Sequence, residues 1–445
     1  MKMKRWISGM LAFAMAASLA ACGGGSSSTQ SGGDAGTQAE GDGTQAEGNA
    51  QESGEGYDLV FWVYSDAVLN EQGELMNRWV DEYLEENPAV NSITLVPKND
   101  SDLLTSLMAG VGLPDMFFAS ARNMKQFSEA IDLLDLSSIF EDAEYRDGFY
   151  DSAIDAVSTE DGMWAIPFIS YVPLIFRNTD VLEAAGIDWE NEPLTSWDVF
   201  YEQCQKVQAA GYDATHSWSR GGYFCPGAVL ACDAPNLTVG VENGATTLQP
   251  DQLVRTFETI AALEEYSNGM SYDDEAASEA FKSDELAFIC VGPWQEPDFI
   301  QSGVSYDIQL IPPYEEGGWT GGLQGWDFMY GVDTGDPDRN EAILGWLKKL
   351  GSFESEQLWA QNVGRSVLRE DVMDDPETQV SETLKILAEG LKCGMNQMDF
   401  GHSSVFWTGA IGDVAPSVAD GAMTPEEGAQ ASIDGINGLY AEAGE

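Results

Sequence analysis

The sequence predicts an α/β protein with two lobes, and three observations lead there. Between Tyr57 and Ala119, stretches of strand character alternate with apolar stripes at helical spacing. An order of strand, helix, strand, helix, strand requires parallel pairing, with the helices packed on the sheet. The residues after Gly56 number about 390, more than one hydrophobic core ordinarily holds, so two cores are expected. Everything before Tyr57 lacks the apolar content to join either core.

The N-terminus opens on Lys2, Lys4 and Arg5, and Ile7 to Ala21 follows as about fifteen mostly apolar residues. That run is too short to span a bilayer comfortably. It ends Leu19-Ala20-Ala21-Cys22 and resembles a bacterial lipoprotein signal over residues 1–21. The resemblance implies that the Cys22 thiol carries a diacylglycerol and that Cys22 becomes the new N-terminus. An ordinary secretory signal with an incidental cysteine is the alternative. Two acyl chains on one residue meet the two-signal requirement for stable anchoring. Residues 22–56 then read as a tether of Gly, Ser, Thr, Gln, Ala and acids, in which Gly36-Thr37-Gln38-Ala39-Glu40-Gly41 recurs as Gly43-Thr44-Gln45-Ala46-Glu47-Gly48. A flexible coil of this length reaches roughly 30 Å.

In the body, Tyr57–Tyr64 reads as a strand. Leu75, Trp79, Val80, Tyr83 and Leu84 form a helical stripe that ends before Pro88. Ser92–Pro97 is a second strand. Leu103, Leu104, Leu107 and Met108 mark a helix stopped by Gly110, and Asp115–Ala119 is a third strand. Thr195 and Asp198 resemble a capping box before a helix ending at Gly211. Pro337 opens a helix with Ala342, Ile343, Trp346, Leu347 and Leu350 on one stripe. Thr424-Pro425-Glu426-Glu427 predicts a capped final helix from Glu426 to about Ala441.

The chain has 20 bases against 75 acids, a net charge of -55. Loss of residues 1–21 removes three bases and no acid, taking it to about -58. Nucleic acid and anionic lipid surfaces would be repelled, so neither is expected as a partner. With six cysteines, no CxxC and two histidines, neither a disulfide scaffold nor a metal site is expected, and no cofactor is implied. Cys225 and Cys232 could pair, whereas Cys204 and Cys290 read as buried free thiols.

Several segments together resemble the extracellular solute-binding proteins of ABC importers, in the maltose- and oligosaccharide-binding group. They are Gly112-Leu113-Pro114-Asp115, Met163-Trp164-Ala165-Ile166-Pro167, Leu174-Ile175-Phe176-Arg177-Asn178-Thr179-Asp180, Leu194-Thr195-Ser196-Trp197-Asp198, and the run from Ala280 to Trp294 that ends Gly292-Pro293-Trp294. Three positions depart from the pattern. Ser283 and Asp284 replace a usual glycine, Ser366 stands where proline is common, and Phe176 replaces a common tyrosine.

The resemblance implies a two-lobed periplasmic-binding-protein fold (type II) with ligand trapped between the lobes. The first lobe would span 57–168 plus a return segment at about 314–360, and the second 169–313 plus about 361–445. Closure would be the hinge motion of periplasmic binding proteins. It implies no enzyme, and no G-x-S-x-G, P-loop or HExxH opposes that. The partners implied are a small-molecule carbohydrate, ABC permease subunits and a membrane reached through the lipid anchor, with the chain acting as a monomer. An anchor at the outer face of the cell membrane suits an envelope without an outer membrane.

A neutral sugar offers hydroxyls at its rim and apolar C–H faces, so its site needs flat rings with polar groups at their edges. Thirteen Trp and fifteen Tyr make rings available. Trp294, Trp407 and Tyr223 match aromatic ligand positions of the resembled family. Tyr171 lies where the resembled maltose binder has a ligand-contacting acid. Trp62 and Tyr64, two apart, leave the first strand on the same side. Asp66 follows at the strand's C-terminal end, where α/β sheets bind ligands. Ser120 and Arg122 follow the third strand likewise; Trp326 and Arg365 complete the candidates. Trp79, Trp346 and Trp359 lie on helices and read as packing. Acidity also leaves open a polyamine or other cationic solute as ligand, and an anchored glycoside hydrolase is the alternative of a different class.

Overall fold

The computed structural model describes residues 56–445 apart from 65–67, 69, 99, 160, 223, 234–240, 243–244, 320–322, 379–380, 394, 397–410 and 444–445. In chain order the sheet strands are β1 (Tyr57–Tyr64), β2 (Val90–Lys98), β3 (Met116–Ser120), β4 (Ile166–Tyr171), β5 (Leu174–Asn178), β6 (Asp213–Thr215), β7 (Leu286–Val291), β8 (Tyr306–Leu310), β9 (Leu323–Gly331) and β10 (Met395–Asn396). Among the described residues they form a six-stranded sheet, ordered β10-β9-β3-β1-β2 with β4 paired to β9, and a four-stranded sheet, ordered β8-β5-β7-β6. The expected parallel pairing of β1 with β2 and β3 is present. β9 runs antiparallel to β3 and β4.

Each sheet is buried on both faces. On the first, Leu59, Phe61 and Val63 pack with Trp79, Trp346 and Trp359, while Phe117, Phe328 and Tyr330 pack on the other face with Leu103 and Leu107. The three helical tryptophans are 1 %, 0 % and 1 % exposed, as packing requires. A fully buried side chain of this size contributes upwards of about 2 kcal/mol by leaving water. On the second sheet, Phe288 and Cys290 face one cluster, and Leu286, Ile289 and Val291 the other. Helices Phe224–Asp233, Asp251–Glu264, Ala415–Ala419 and Pro425–Ala443 share a separate apolar core.

The helix ends show what local chemistry decided. The final helix has both arms of its capping box: Glu427 N–H donates to Thr424 Oγ1 at 3.2 Å, and Thr424 N–H to the Glu427 carboxylate at 2.9 Å. The helix after Leu194 is capped one residue later than expected. Ser196 Oγ, not Thr195, accepts from Val199 N–H at 3.3 Å, because Ser196 is the extended residue immediately before Trp197. Gly211 ends that helix at φ 94°, a conformation that costs glycine nothing.

The four described cysteines with assigned burial, Cys204, Cys225, Cys232 and Cys290, are buried and form no disulfide with one another in this structure. Cys225 and Cys232 do not pair. Both sit on the helix Phe224–Asp233, where seven residues rise about 10 Å, beyond the Cα separation a disulfide tolerates.

Candidate binding site

β1 and β3 run the same way, so their last residues, Tyr64 and Ser120, lie along one edge of the first sheet. β9 runs the opposite way and brings its first half to that edge, pairing Asp327 with Ser120 and Gly325 with Tyr171. In the second sheet, Val291 at the end of β7 pairs with Leu174 at the start of β5, just beyond Tyr171. The two edges therefore meet at Tyr171, and Gly292-Pro293-Trp294 leaves β7 beside it. Ends of strands at such a crossover form a natural crevice in α/β sheets.

Rings gather at this junction. Tyr171 and Trp294 stand edge to face, centroids 5.3 Å apart at 89°. Phe224 lies 5.5 Å from Trp294 and stacks on Tyr272 at 4.9 Å. His216 continues the cluster 6.4 Å from Tyr272 and stacks on Trp218 at 5.6 Å. Trp294, Tyr171 and Tyr272 are half-buried, so part of each ring remains open, whereas Phe224 is buried beneath. Glycine is required on both sides: a Cβ at Gly292 would overlap the Trp294 ring, and one at Gly325 the Tyr171 ring. Tyr171 packs against the main core of both sheets.

His216 is fully buried and neutral. Cys290 N–H donates to its Nε2 at 3.0 Å, and its Nδ1 lies 2.9 Å from the Ser217 carbonyl oxygen, so Nδ1 carries the proton. Burial lowers its pKa to about 4, partly opposed by the bond to Ser217.

The edge of the first sheet is more polar. Tyr64 Oη donates to Asp327 Oδ1 at 3.4 Å while its ring lies 4.8 Å from Phe118. Tyr64 thus leans toward the core of Phe61 and Val63, and Trp62 packs in the opposite one. The expected common side holds for the backbone alternation but not for the packing, since Tyr64 is the strand's last residue and follows Phe118. Ser120 is buried at the start of the turn Ala121–Asn123. Arg122 and Arg365 are half-buried. Trp62 and Trp326 are 7 % and 4 % exposed and present no open ring face. Lys98, which the sequence did not single out, holds its Nζ 4.6 Å over the Trp62 ring. Asp66, Tyr223, Trp407 and the lipidation candidate Cys22 lie outside the described residues.

Phe224, Tyr272 and His216 were also missed. Phe224 stood next to a singled-out tyrosine, but no local pattern marks Tyr272 or His216, which long-range packing brings in.

The segments crossing between the sheets are tied together. Ser366 Oγ donates to the Ser170 carbonyl at 2.6 Å, the two hydroxyls lie 3.1 Å apart, and Ser170 N–H donates to the Ser366 carbonyl at 3.2 Å. A proline at 366 would supply no hydroxyl. Phe176, the other departure, is buried between Phe299 and Tyr306 at 5.1 and 5.5 Å, where a tyrosine hydroxyl would need a partner.

A family model described as bacterial extracellular solute-binding protein matches residues 66–352. Among curated relatives, the sn-glycerol-3-phosphate-binding periplasmic protein UgpB of Brucella abortus is 26 % identical over 185 residues, which covers 40 % of this chain and 41 % of that protein. The match to such relatives thus spans about two-fifths of their length. Among solved structures, the GacH receptor of Streptomyces glaucescens superposes with a TM-score of 0.73 at 17 % identity, covering 86 % of this chain and 98 % of that one. The maltotriose-bound maltose/maltodextrin-binding domain MalE of Bdellovibrio bacteriovorus gives 0.69 at 16 % identity, covering 86 % and 100 %. The fold is therefore the two-lobed α/β fold of periplasmic binding proteins.

Proposed function

We infer the function from one premise: the chain belongs to the bacterial extracellular solute-binding protein family. Members of that family are binding proteins rather than enzymes. We propose that this chain binds a neutral mono- or oligosaccharide between its lobes and delivers it to the permease of an ABC importer. The observation that carries the ligand class is the half-buried ring cluster of Tyr171, Trp294 and Tyr272 where the two sheet edges meet. Ring faces pack against the C–H faces of a sugar, and the polar edge formed by Tyr64, Ser120 and Asp327 answers its hydroxyls.

In this reading the lobes are 57–168 with about 314–360, and 169–313 with about 361–445. Arg122, Arg365, Asp66, Tyr223 and Trp407 would add further contacts to the sugar. Cys22 would carry the lipid that holds a monomer at the outer face of the cell membrane, and residues 23–56 would let it open, load and dock.

Thermal unfolding of the purified protein against a glycan panel, with sn-glycerol 3-phosphate and spermidine as the other arms, tests the ligand class. A ligand at 100 times its dissociation constant adds about 2.7 kcal/mol. A response to a neutral glycan alone is expected. A response only to the phosphate ester or the polyamine overturns the carbohydrate reading, and release of reducing ends from a polysaccharide overturns the non-enzymatic one. Metabolic labelling with a fatty acid should be lost in Cys22→Ala; label retained there would rule out Cys22 as the anchor.

A further inference from the structure

Beneath the rings, two cysteines from distant parts of the chain come together in one buried cluster. Cys225 is the second residue of the helix Phe224–Asp233, and Cys290 is the penultimate residue of β7. The Cys225 Sγ lies 4.0 Å from the Cys290 carbonyl oxygen. Both are 0 % exposed within one apolar cluster. The partners on either side are fixed. His216 holds the Cys290 N–H at 3.0 Å, and Phe224, next to Cys225, lies 5.5 Å from Trp294, four residues past Cys290.

We propose that Cys225 and Cys290 form a disulfide as the chain folds outside the cytoplasm, fastening the helix Phe224–Asp233 to β7 directly under the ring cluster. Secreted proteins meet an oxidising compartment, where an adjacent pair of thiols is oxidised rather than kept reduced. The reaction needs an external disulfide as oxidant. One cysteine thiolate attacks a sulfur of that disulfide, forming a mixed disulfide and releasing one small thiolate. The second cysteine thiolate then attacks the protein-side sulfur, closing the Cys225–Cys290 bond and releasing the other. Two electrons pass to the external disulfide, and the two cysteine protons end on the released thiols.

Timing follows from burial. In the packed structure neither thiol reaches solvent, and burial raises the Cys225 pKa, so little thiolate is present. Exchange therefore takes place before the helix docks on β7, and docking then shields the bond from reductants. The bond closes a loop running from 225 to 290, with Tyr272 inside it and His216 just outside. Its effect on the site is to hold Phe224 against Trp294.

The test uses the full chain and needs no ligand, so it stands apart from the carbohydrate reading. Protein reduced in denaturant is refolded in a mixture of reduced and oxidised glutathione, alkylated with iodoacetamide, digested and mapped without reduction. The expected result is a cross-linked peptide joining Cys225 to Cys290, with Cys204 and Cys232 alkylated once the protein is denatured. In Cys290→Ala, Cys225 should become alkylatable. Full alkylation of both cysteines in the refolded wild type, or a link from either one to another cysteine, overturns the proposal. Should Cys290→Ala fail to fold, the wild-type map decides alone. The oxidised protein should also unfold several degrees above the same protein alkylated in its reduced form.

Discussion

The two strand-end edges that meet at Tyr171 differ in chemistry. The edge of the first sheet carries hydrogen-bonding groups: Tyr64 on Asp327, Ser120, and the half-buried Arg122. The edge of the second carries rings, Trp294 and Tyr272 over the buried Phe224, with a neutral histidine behind them. The difference suggests a division of labour in which the rings supply most of the binding energy and the polar edge supplies orientation. Buried rings give large, geometry-tolerant contact area, whereas a hydrogen bond exchanged with water nets only about 1 kcal/mol.

The largest expected effect therefore comes from the ring side. Trp294→Ala should cost about 2–3 kcal/mol of ligand affinity, roughly a hundredfold, by calorimetric titration with a glycan from the panel. Tyr64→Phe, which removes the hydroxyl from the polar side, should cost less than about tenfold. Equal losses, or a larger one for Tyr64→Phe, would break the comparison.

The halves also differ in their buried ionisable groups, and with opposite sign. His216, in the second core, has a folded pKa of about 4, below its unfolded value near 6.5. As pH falls the unfolded chain takes up the proton first. The stability that rests on neutral His216 is thus full above about pH 6.5 and is lost between 6.5 and 4, about 3 kcal/mol in all. Glu356, fully buried in the first half near Arg369 and Asp371, has its pKa raised by burial. There the folded state holds the proton longer, so stability falls as pH rises above the ordinary carboxylate value. Denaturant midpoints should show His216→Asn less sensitive to acid than wild type, and Glu356→Gln more stable at neutral pH. An acid sensitivity unchanged in His216→Asn would remove that histidine as its source.

The sequence made the parallel β1–β2–β3 unit legible because apolar periodicity there is strict and both helix-to-strand turns are marked by proline or glycine. The capping box at Thr424 was legible for the same reason: both arms lie within four residues. Trp294 and Tyr171 could be singled out one at a time, but not as a pair. Their contact depends on how β5 and β7 pair across more than a hundred residues, which no local pattern encodes. The neighbour of Cys225 was not legible for the same reason, since its Sγ lies against the Cys290 carbonyl of a distant strand.

Ser366 sharpens the comparison at the seam between the halves. Ser366→Ala removes a hydroxyl that donates to the Ser170 carbonyl, and should cost about 1 kcal/mol in unfolding free energy with little change in affinity. A marked change in affinity with unchanged stability would mean that the clasp biases the open and closed forms unequally.

The smallest effect is expected at Asp284, where the resembled family carries glycine nearby. Asp284 is the non-glycine residue with positive φ among the described residues, at 58°. That conformation costs a residue with a Cβ roughly 1–2 kcal/mol. Asp284 offsets the cost by accepting from Asn178 Nδ2 at 2.8 Å, and Asn178 in turn donates to the Phe281 carbonyl at 3.0 Å and caps the helix Thr179–Ala184 through Val181 N–H. Asp284→Gly relieves the backbone and loses one bond of about 1 kcal/mol, so the two terms should nearly cancel, within about 0.5 kcal/mol. Asp284→Ala keeps the backbone cost and loses the bond, so it should be less stable than wild type by about 1 kcal/mol. Chemical denaturation of the two variants separates the terms. An alanine variant as stable as wild type would show that the Asn178 bond contributes nothing, and that the turn is held by the strands on either side of it.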